Sequence, residues 1–383
     1  MKKILYGICG IGNGHLYRQL PILKYFLSKK YQVLVFAYGN SFNYIKNYIA
    51  DNKNSLNNLL EVVQVNVPYY IGNETGVDFV KSAMINQNND PLLNLQAFAF
   101  AQQWLGRPDL VISDYEPFCA QYGYSYNTKV VTIDQQSKYL LDYLPQPLED
   151  TYYNDETMRL RMFFPVAEKR LIASFFKIEK YQNNDYVYIV PPLIRKEVLK
   201  IKNIPDYAKK DYIVYLTSQE GYIQSLDSVL NSLLATLSKN ANIGCFHVFL
   251  KDTQYNSAKK ILEKLSYHNN SLKIYKHGNK EFEKLLKHCL GIITTAGHTL
   301  VSEAMHLGIP IYALPLKLYE QQLTAKIIHD NQFGIKFNEI NTENLKVFTD
   351  NIDQYRLNIN NDIKVLFKHD GLNFLLDELN FLL

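Results

Sequence analysis

Short apolar runs alternate with longer amphipathic stretches along the first half of the chain, the arrangement expected of a parallel sheet covered on both faces by crossover helices. The runs predict strands over 4–9, 32–38, 60–67, 109–113 and 129–133, with helices at about 15–29, 42–51, 79–105 and 118–126 between them. A longer helix is predicted over 155–177, followed by a strand over 186–190 that runs into Pro191-Pro192. From there to about 211 the sequence is broken by prolines and dense in Lys and Arg, as in a connection between domains. The alternation then restarts, with strands over 212–216, 246–250, 272–275, 291–294 and 309–313. Helices at about 223–239, 257–266, 280–288, 299–307 and 320–331 interleave with them, and 370–383 reads as an apolar helix that needs a surface to cover. The stretches 52–58 and 86–90 are polar loops.

The pattern predicts an α/β chain of two doubly wound, Rossmann-like domains, over 1–192 and 211–365. A linker over 193–210 joins them, and the terminal helix, 366–383, packs back on the first. Two such domains in tandem face a central cleft with the loops that follow their strands, so the chemistry is sought in those loops. Composition changes this picture little. Of 383 residues, 47% are hydrophobic and 20% charged, which excludes a disordered or fibrous chain. With 41 Lys and Arg against 37 Asp and Glu, the net charge of +4 argues against nucleic acid as the main partner. The four cysteines, Cys9, Cys119, Cys245 and Cys289, make no C-x-x-C pair and read as reduced thiols of a cytoplasmic protein. Gly10, Gly12 and Gly14 cut the first apolar run too short for a membrane span or signal segment. Peripheral contact at the inner face of a membrane stays open. The basic linker residues Arg195, Lys196, Lys200, Lys202, Lys209 and Lys210 are read first as a solvated hinge.

Gly10-Ile11-Gly12-Asn13-Gly14-His15 lies between the first strand and the first helix. A dinucleotide fingerprint wants a third glycine where His15 stands. It also wants an acid after the second strand, where Ala37-Tyr38-Gly39-Asn40 offers none. What remains is an imidazole at a strand-to-helix turn, suited by its ordinary titration range to take a proton from a hydroxyl. Asp114, after a neighbouring strand, is placed to orient it. A plainer alternative stands beside this: His15 packs the first helical turn and Asp114 caps the next helix.

The most informative segment is Thr294-Thr295-Ala296-Gly297-His298-Thr299-Leu300-Val301-Ser302-Glu303. A strand ends in small residues and a glycine opens a helix, whose exposed N–H groups and positive end suit a phosphate. Glu303, just under two turns on, can stay on the ligand side and meet a ribose diol. Glu320 and Gln321 open the following helix and can bond sugar hydroxyls. Ser218 after the strand 212–216 adds a hydroxyl near the diphosphate, although polar residues at strand ends serve turns equally well. His277-Gly278 follows another strand and is read either as a nucleotide-base contact or as a turn.

These residues carry a resemblance. Gly297 with Glu303, and Glu320 with Gln321 and the small Ala325, resemble the donor signature of GT-B glycosyltransferases. The loop Gly12-Asn13-Gly14-His15 is similar to the acceptor-side loop of its inverting members, and Asp114 stands where an orienting Asp is found. The resemblance runs from Ile4 to about Phe337 and is nearest to the prokaryotic branch of MurG and the UDP-glycosyltransferases. Thr295 departs from the pattern, standing where many relatives place a diphosphate-binding His, and so does Thr324, where an Asn is usual.

The resemblance implies inverting, metal-independent transfer of a sugar from a nucleotide diphosphate sugar, a UDP-sugar first. His15 is then the base and Asp114 its partner. The diphosphate lies at Gly297 with Thr295, His298 and Thr299 nearby, the ribose at Glu303, and the sugar at Glu320 and Gln321. It implies no cofactor beyond the donor substrate. The acceptor is a glycan, a lipid-linked group or a small molecule, with cell-surface glycan or glycolipid synthesis as the setting. No Asp-x-Asp pair occurs, and His247, His268, His288, His306, His329 and His369 show no ligand spacing, so no metal site is expected. Two other readings stay open: a non-hydrolysing UDP-sugar epimerase, which needs paired carboxylates, and a non-catalytic nucleotide-sugar-binding subunit.

Overall fold

The computed structural model describes all residues except 57, 74–75, 142–143, 145–152, 180, 203–209, 217–224, 240–242 and 265–270. The chain forms two compact units: Met1–Arg195 with His369–Leu383, and Lys196–Lys368.

In the first unit the strands are β1 (Lys3–Ile8), β2 (Gln32–Ala37), β3 (Leu60–Gln64), β4 (Ile71–Asn73), β5 (Gly76–Asp78), β6 (Leu110–Asp114), β7 (Val130–Asp134), β8 (Lys169–Ala173) and β9 (Val187–Val190). Among the described residues seven of them make one parallel sheet in the order β3-β2-β1-β6-β7-β8-β9, while β4 and β5 pair as a separate hairpin. The strands are almost wholly apolar because both faces are covered, which dictates their composition. Ile4, Tyr6 and Ile8 meet the helix Gly14–Ser28 through Leu16, Leu20 and Leu23 on one face. Leu5, Leu34 and Val111 meet Ala97, Ala101 and Ala120 on the other. The helix Leu372–Leu382 lays Leu375 and Leu379 into the first of these cores, and Lys169 reaches Glu378 at 2.5 Å.

The second unit holds β10 (Asp211–Tyr215), β11 (Cys245–Leu250), β12 (Leu272–Lys276), β13 (Cys289–Thr294), β14 (Ile311–Ala313) and β15 (Gly334–Lys336). They form a parallel sheet in the order β12-β11-β10-β13-β14-β15. In both sheets the order reverses once, between β1 and β6 and between β10 and β13. Ligand crevices in open α/β sheets form at such points, beyond the C-terminal ends of the strands.

The structure corrects two predicted helices. The stretch 155–177 is a helix only over Tyr153–Phe163, and β8 occupies Lys169–Ala173, because Pro165 ends the helix and the following run is buried in the sheet. The predicted helix 79–105 is two, Phe79–Ile85 and Leu92–Trp104, parted by the polar loop that ends in Pro91. The strand β15 and the helices Thr342–Asp350 and Ile352–Asn361 were not predicted. Among the described residues no helix is long and apolar enough to cross a membrane.

Candidate active site

Parallel pairing of β1 with β6 sets Ile8 opposite Asp114, so the residues following β1 and the last residue of β6 share one edge of the sheet. The connection Cys9–Asn13 turns there in little space. A Cβ on Gly10 would lie 1.8 Å from the Tyr38 carbonyl oxygen, so only glycine passes. Gly12 sits at φ +68° with open space around it, and Asn13 bonds Asn40 at 3.2 Å and precedes Gly14, where the helix begins.

His15, in the first turn of that helix, brings Nδ1 to 3.1 Å from both carboxylate oxygens of Asp114. Asp114 is fully buried, whereas the His15 side chain keeps 11% of its surface exposed. One turn along the same helix, buried Arg18 donates from Nη2 to Asp114 Oδ1 at 2.8 Å and lies 3.0 Å from His15 Nδ1. Gln136, just past β7, directs its amide nitrogen at His15 Nε2, 3.2 Å away. The backbone N–H of Gln135 donates to the Gln136 side-chain oxygen at 3.3 Å, which fixes that orientation. In the neutral ring, the contacts to Asp114 and Gln136 fit the Nδ1–H tautomer, with Nδ1–H donating to Asp114 and Nε2 accepting from the Gln136 amide. Tyr115, held at φ +55° right after Asp114, stacks on the imidazole with ring centres 6.1 Å apart.

The electrostatics follow from burial and charge. Burial pushes the Asp114 carboxyl up, but Arg18 and then His15 outweigh it, holding the group below its ordinary value. For His15 burial works against the proton, yet the Cys9 sulfur and the Asp114 carboxylate prevail and raise its pKa above that of a free imidazole. Beside the pair, burial pushes fully enclosed Glu116 up to about 7, opposed by the N–H groups of Cys119 and Phe118, each 2.8 Å away.

In the second unit, β13 pairs with β14 so that Thr294 lies opposite Ala313, and the loops after both strands emerge at one edge. Thr295 is buried and Ala296 takes φ +61°, a strained conformation for a residue with a Cβ. Gly297 caps the helix His298–His306 in an extended conformation, with no side-chain cap bond and no acidic residue in the first turn. A Cβ on Gly297 would meet nothing within 4 Å. The first turn, which includes Thr299, holds the helix's N-terminal backbone N–H groups and its positive end, and none of its own residues is acidic. His298 lies buried, with Nδ1 3.4 Å from Ser302 Oγ. Glu303, on the same helix, is also buried. After β14, Glu320 and Gln321 sit in the first turn of the helix Tyr319–Asp330, where Gln321 commits its side-chain oxygen to the Leu316 N–H at 3.0 Å.

His277 follows the edge strand β12. Its ring stacks on Tyr215, 4.4 Å between centres, and its Nε2 bonds the Phe249 carbonyl at 3.1 Å. Burial holds its pKa low. Ser218 lies outside the described residues. Arg18, Tyr115 and Gln136 carried no functional reading in the sequence. Arg18 alone had a local signal, its three-residue spacing from His15 on one helix face. Gln136 is brought in only by the pairing of β6 with β7.

Two open, doubly wound sheets, counted within each unit as seven strands in the order 3-2-1-4-5-6-7 and six in the order 3-2-1-4-5-6, give the chain the GT-B fold of glycosyltransferases. Comparison with known proteins agrees. The sequence model of the family described as glycosyl transferase family 1 matches residues 2–353. The chain belongs to that family and is a glycosyltransferase. An uncharacterized glycosyltransferase of Methanosarcina mazei is 20% identical over 357 residues, spanning 87% of this chain and 84% of its own. The calicheamicin glycosyltransferase CalG4 superposes with a TM-score of 0.58 at 12% identity, covering 100% of this chain and 98% of its own. Arabidopsis thaliana UGT89C1, solved with UDP-L-rhamnose, gives 0.63 at 14% identity and 99% coverage of both chains.

Proposed function

We propose that the chain transfers a sugar from a nucleotide diphosphate sugar, a UDP-sugar first, to an acceptor hydroxyl with inversion and without a metal. The observation that carries this reading is the His15–Asp114 pair, 3.1 Å apart through Nδ1, which leaves Nε2, now facing the Gln136 amide, as the nitrogen for an acceptor hydroxyl. In the proposed reaction the acceptor oxygen attacks the anomeric carbon and gives its proton to His15 Nε2. The bond from that carbon to the diphosphate breaks as the new one forms, and the nucleotide diphosphate departs. Asp114 stabilises the imidazolium, as a buried carboxylate does for a histidine base. The departing charge is met by the N-terminus of the helix His298–His306 and the hydroxyls of Thr295 and Thr299, a preorganised electrostatic sink in place of a cation. Glu303 takes the ribose, and Glu320 with Gln321 the sugar. UGT89C1 has been solved with UDP-L-rhamnose and a Phytolacca americana UGT2 with UDP-2-fluoro-glucose, which supports a UDP-sugar as the first donor to test.

The test is calorimetric titration of UDP, GDP, dTDP, NAD and several UDP-sugars, with and without EDTA, followed by turnover of the binding donor. Selective binding of one nucleotide diphosphate that survives EDTA, with a product of inverted anomeric configuration, is the expected result. Dependence on a divalent cation would remove the metal-independent mechanism, and retained configuration would remove His15 as the base in direct displacement.

A further inference from the structure

At the opposite edge of the second sheet from the loop that follows β13, three side chains of different chemistry converge. Asp211 is the first residue of β10 and Cys245 the first of β11, and parallel pairing sets them opposite each other. His247 is two residues along β11, so strand alternation puts it on the same face as Cys245. Each offers one ligand atom, and the carboxylate oxygen, sulfur and imidazole nitrogen all lie within 4.8 Å of one another. His247 Nε2 is already 3.7 Å from Asp211 Oδ2. Its other nitrogen, Nδ1, is 3.1 Å from the Tyr275 hydroxyl on β12, and the two rings stack 5.7 Å apart.

We propose that Asp211, Cys245 and His247 form a binding site for a soft divalent transition metal, zinc first. The donor set is what zinc selects: one thiolate, one imidazole and one carboxylate, with the fourth tetrahedral position left to water. Zn–S bonds of about 2.3 Å and Zn–N or Zn–O bonds of about 2.0 Å require ligand atoms roughly 3.3–3.8 Å apart. The Asp211–His247 separation already meets this, and rotation about the side-chain bonds of Cys245 and Asp211 closes the rest. Tyr275 supplies the outer partner that metal-bound histidines usually have, holding the ring with Nε2 toward the other two ligands. Binding displaces one proton from the Cys245 thiol, which becomes the thiolate ligand, with no change of oxidation state. Asp211 and Cys245 each begin a strand, so the metal would tie the starts of β10 and β11 together. Histidine spacing in the sequence gave no sign of it because the ligands come from two strands.

The experiment uses the full chain stripped with chelator and titrated with zinc in competition with a chromophoric chelator, then with cobalt. One equivalent is expected to bind, to raise the thermal midpoint, to release one proton and to shield Cys245 from alkylation. Cobalt should give a thiolate charge-transfer absorption. Cys245→Ser should abolish that absorption and weaken zinc binding by about 100-fold, and Tyr275→Phe should weaken it by about tenfold. Asp211→Asn offers a second ligand variant should Cys245→Ser fold poorly. Absence of stoichiometric binding, or a cobalt spectrum and zinc affinity unchanged in both ligand variants, would overturn the proposal. Within the second unit the site lies at the starts of the strands and the residues proposed for the donor follow their ends, so either reading can fail alone.

Discussion

Where the first sheet reverses its strand order, the candidate site is made of side chains: an imidazole, a buried carboxylate and a guanidinium within about one hydrogen bond of each other. At the reversal of the second sheet the candidate site is mostly backbone, with a glycine-capped helix end and no acidic residue in its first turn. The difference follows from what each task asks. Moving a proton needs a group whose charge changes, and its pKa must be set by specific neighbours. Holding a diphosphate needs only fixed partial charges, which a helix supplies from any sequence that folds correctly. The first arrangement should be fragile to single side-chain changes and the second tolerant of all except those that add charge.

The largest effect expected is at His15. His15→Ala should lower kcat by about 10²–10⁴-fold while nucleotide affinity, measured by calorimetry, stays within about twofold. Normal turnover by this variant would erase the contrast. Asp114→Asn should cost about 100-fold in kcat and move the alkaline-rising limb of the pH–rate profile toward lower pH, because the carboxylate that raises the His15 pKa is gone. A loss of rate with an unmoved profile would make Asp114 merely structural.

Stability against pH sharpens the picture of the first unit. Glu116 titrates at about 7 in the fold against 4.5 ordinarily, so the native state keeps a proton that the unfolded chain gives up. Stability contributed this way is full below the ordinary value and falls by up to about 3 kcal/mol as pH rises to the folded value. The raised His15 pKa acts in the same direction at higher pH, whereas the lowered pKa of Asp114 withdraws stability only in acid, below its ordinary value of 3.8. The thermal midpoint should therefore peak on the acid side of neutrality, and a midpoint that climbs between pH 5 and 8 would contradict this. The smallest effect is expected at the backbone site. Gly297→Asp has room for its side chain and should raise stability by about 0.3 kcal/mol through capping. The same substitution should weaken nucleotide binding by about tenfold, through the charge it adds at the helix end. Equal nucleotide affinity would remove this helix from the donor site.

The same contrast explains what the sequence made legible. The central strands were readable to within a residue or two because burial on both faces leaves an unbroken apolar run, and Asp114 could be paired with His15 because adjacent strands share an edge. The stretch Lys169–Ala173 was misread as helix because a short apolar run carries no period of its own to tell strand from helix. Three-residue β15 gives too little pattern to see. Arg18 and Gln136 stayed silent for a different cause. A buried arginine looks like any surface basic residue until its carboxylate is located, and Gln136 depends on a strand pairing that no local spacing encodes.

The helix Leu372–Leu382 lies with the first unit although the whole of the second unit precedes it in the chain. On the ribosome, residues 196–368 are made as one continuous piece and can finish folding while the earlier sheet still lacks Leu375 and Leu379 from its core. The unit that holds His15 and Asp114 is thus the last to be completed, and a nascent chain would finish the unit that holds the helix His298–His306 before the one that holds this pair.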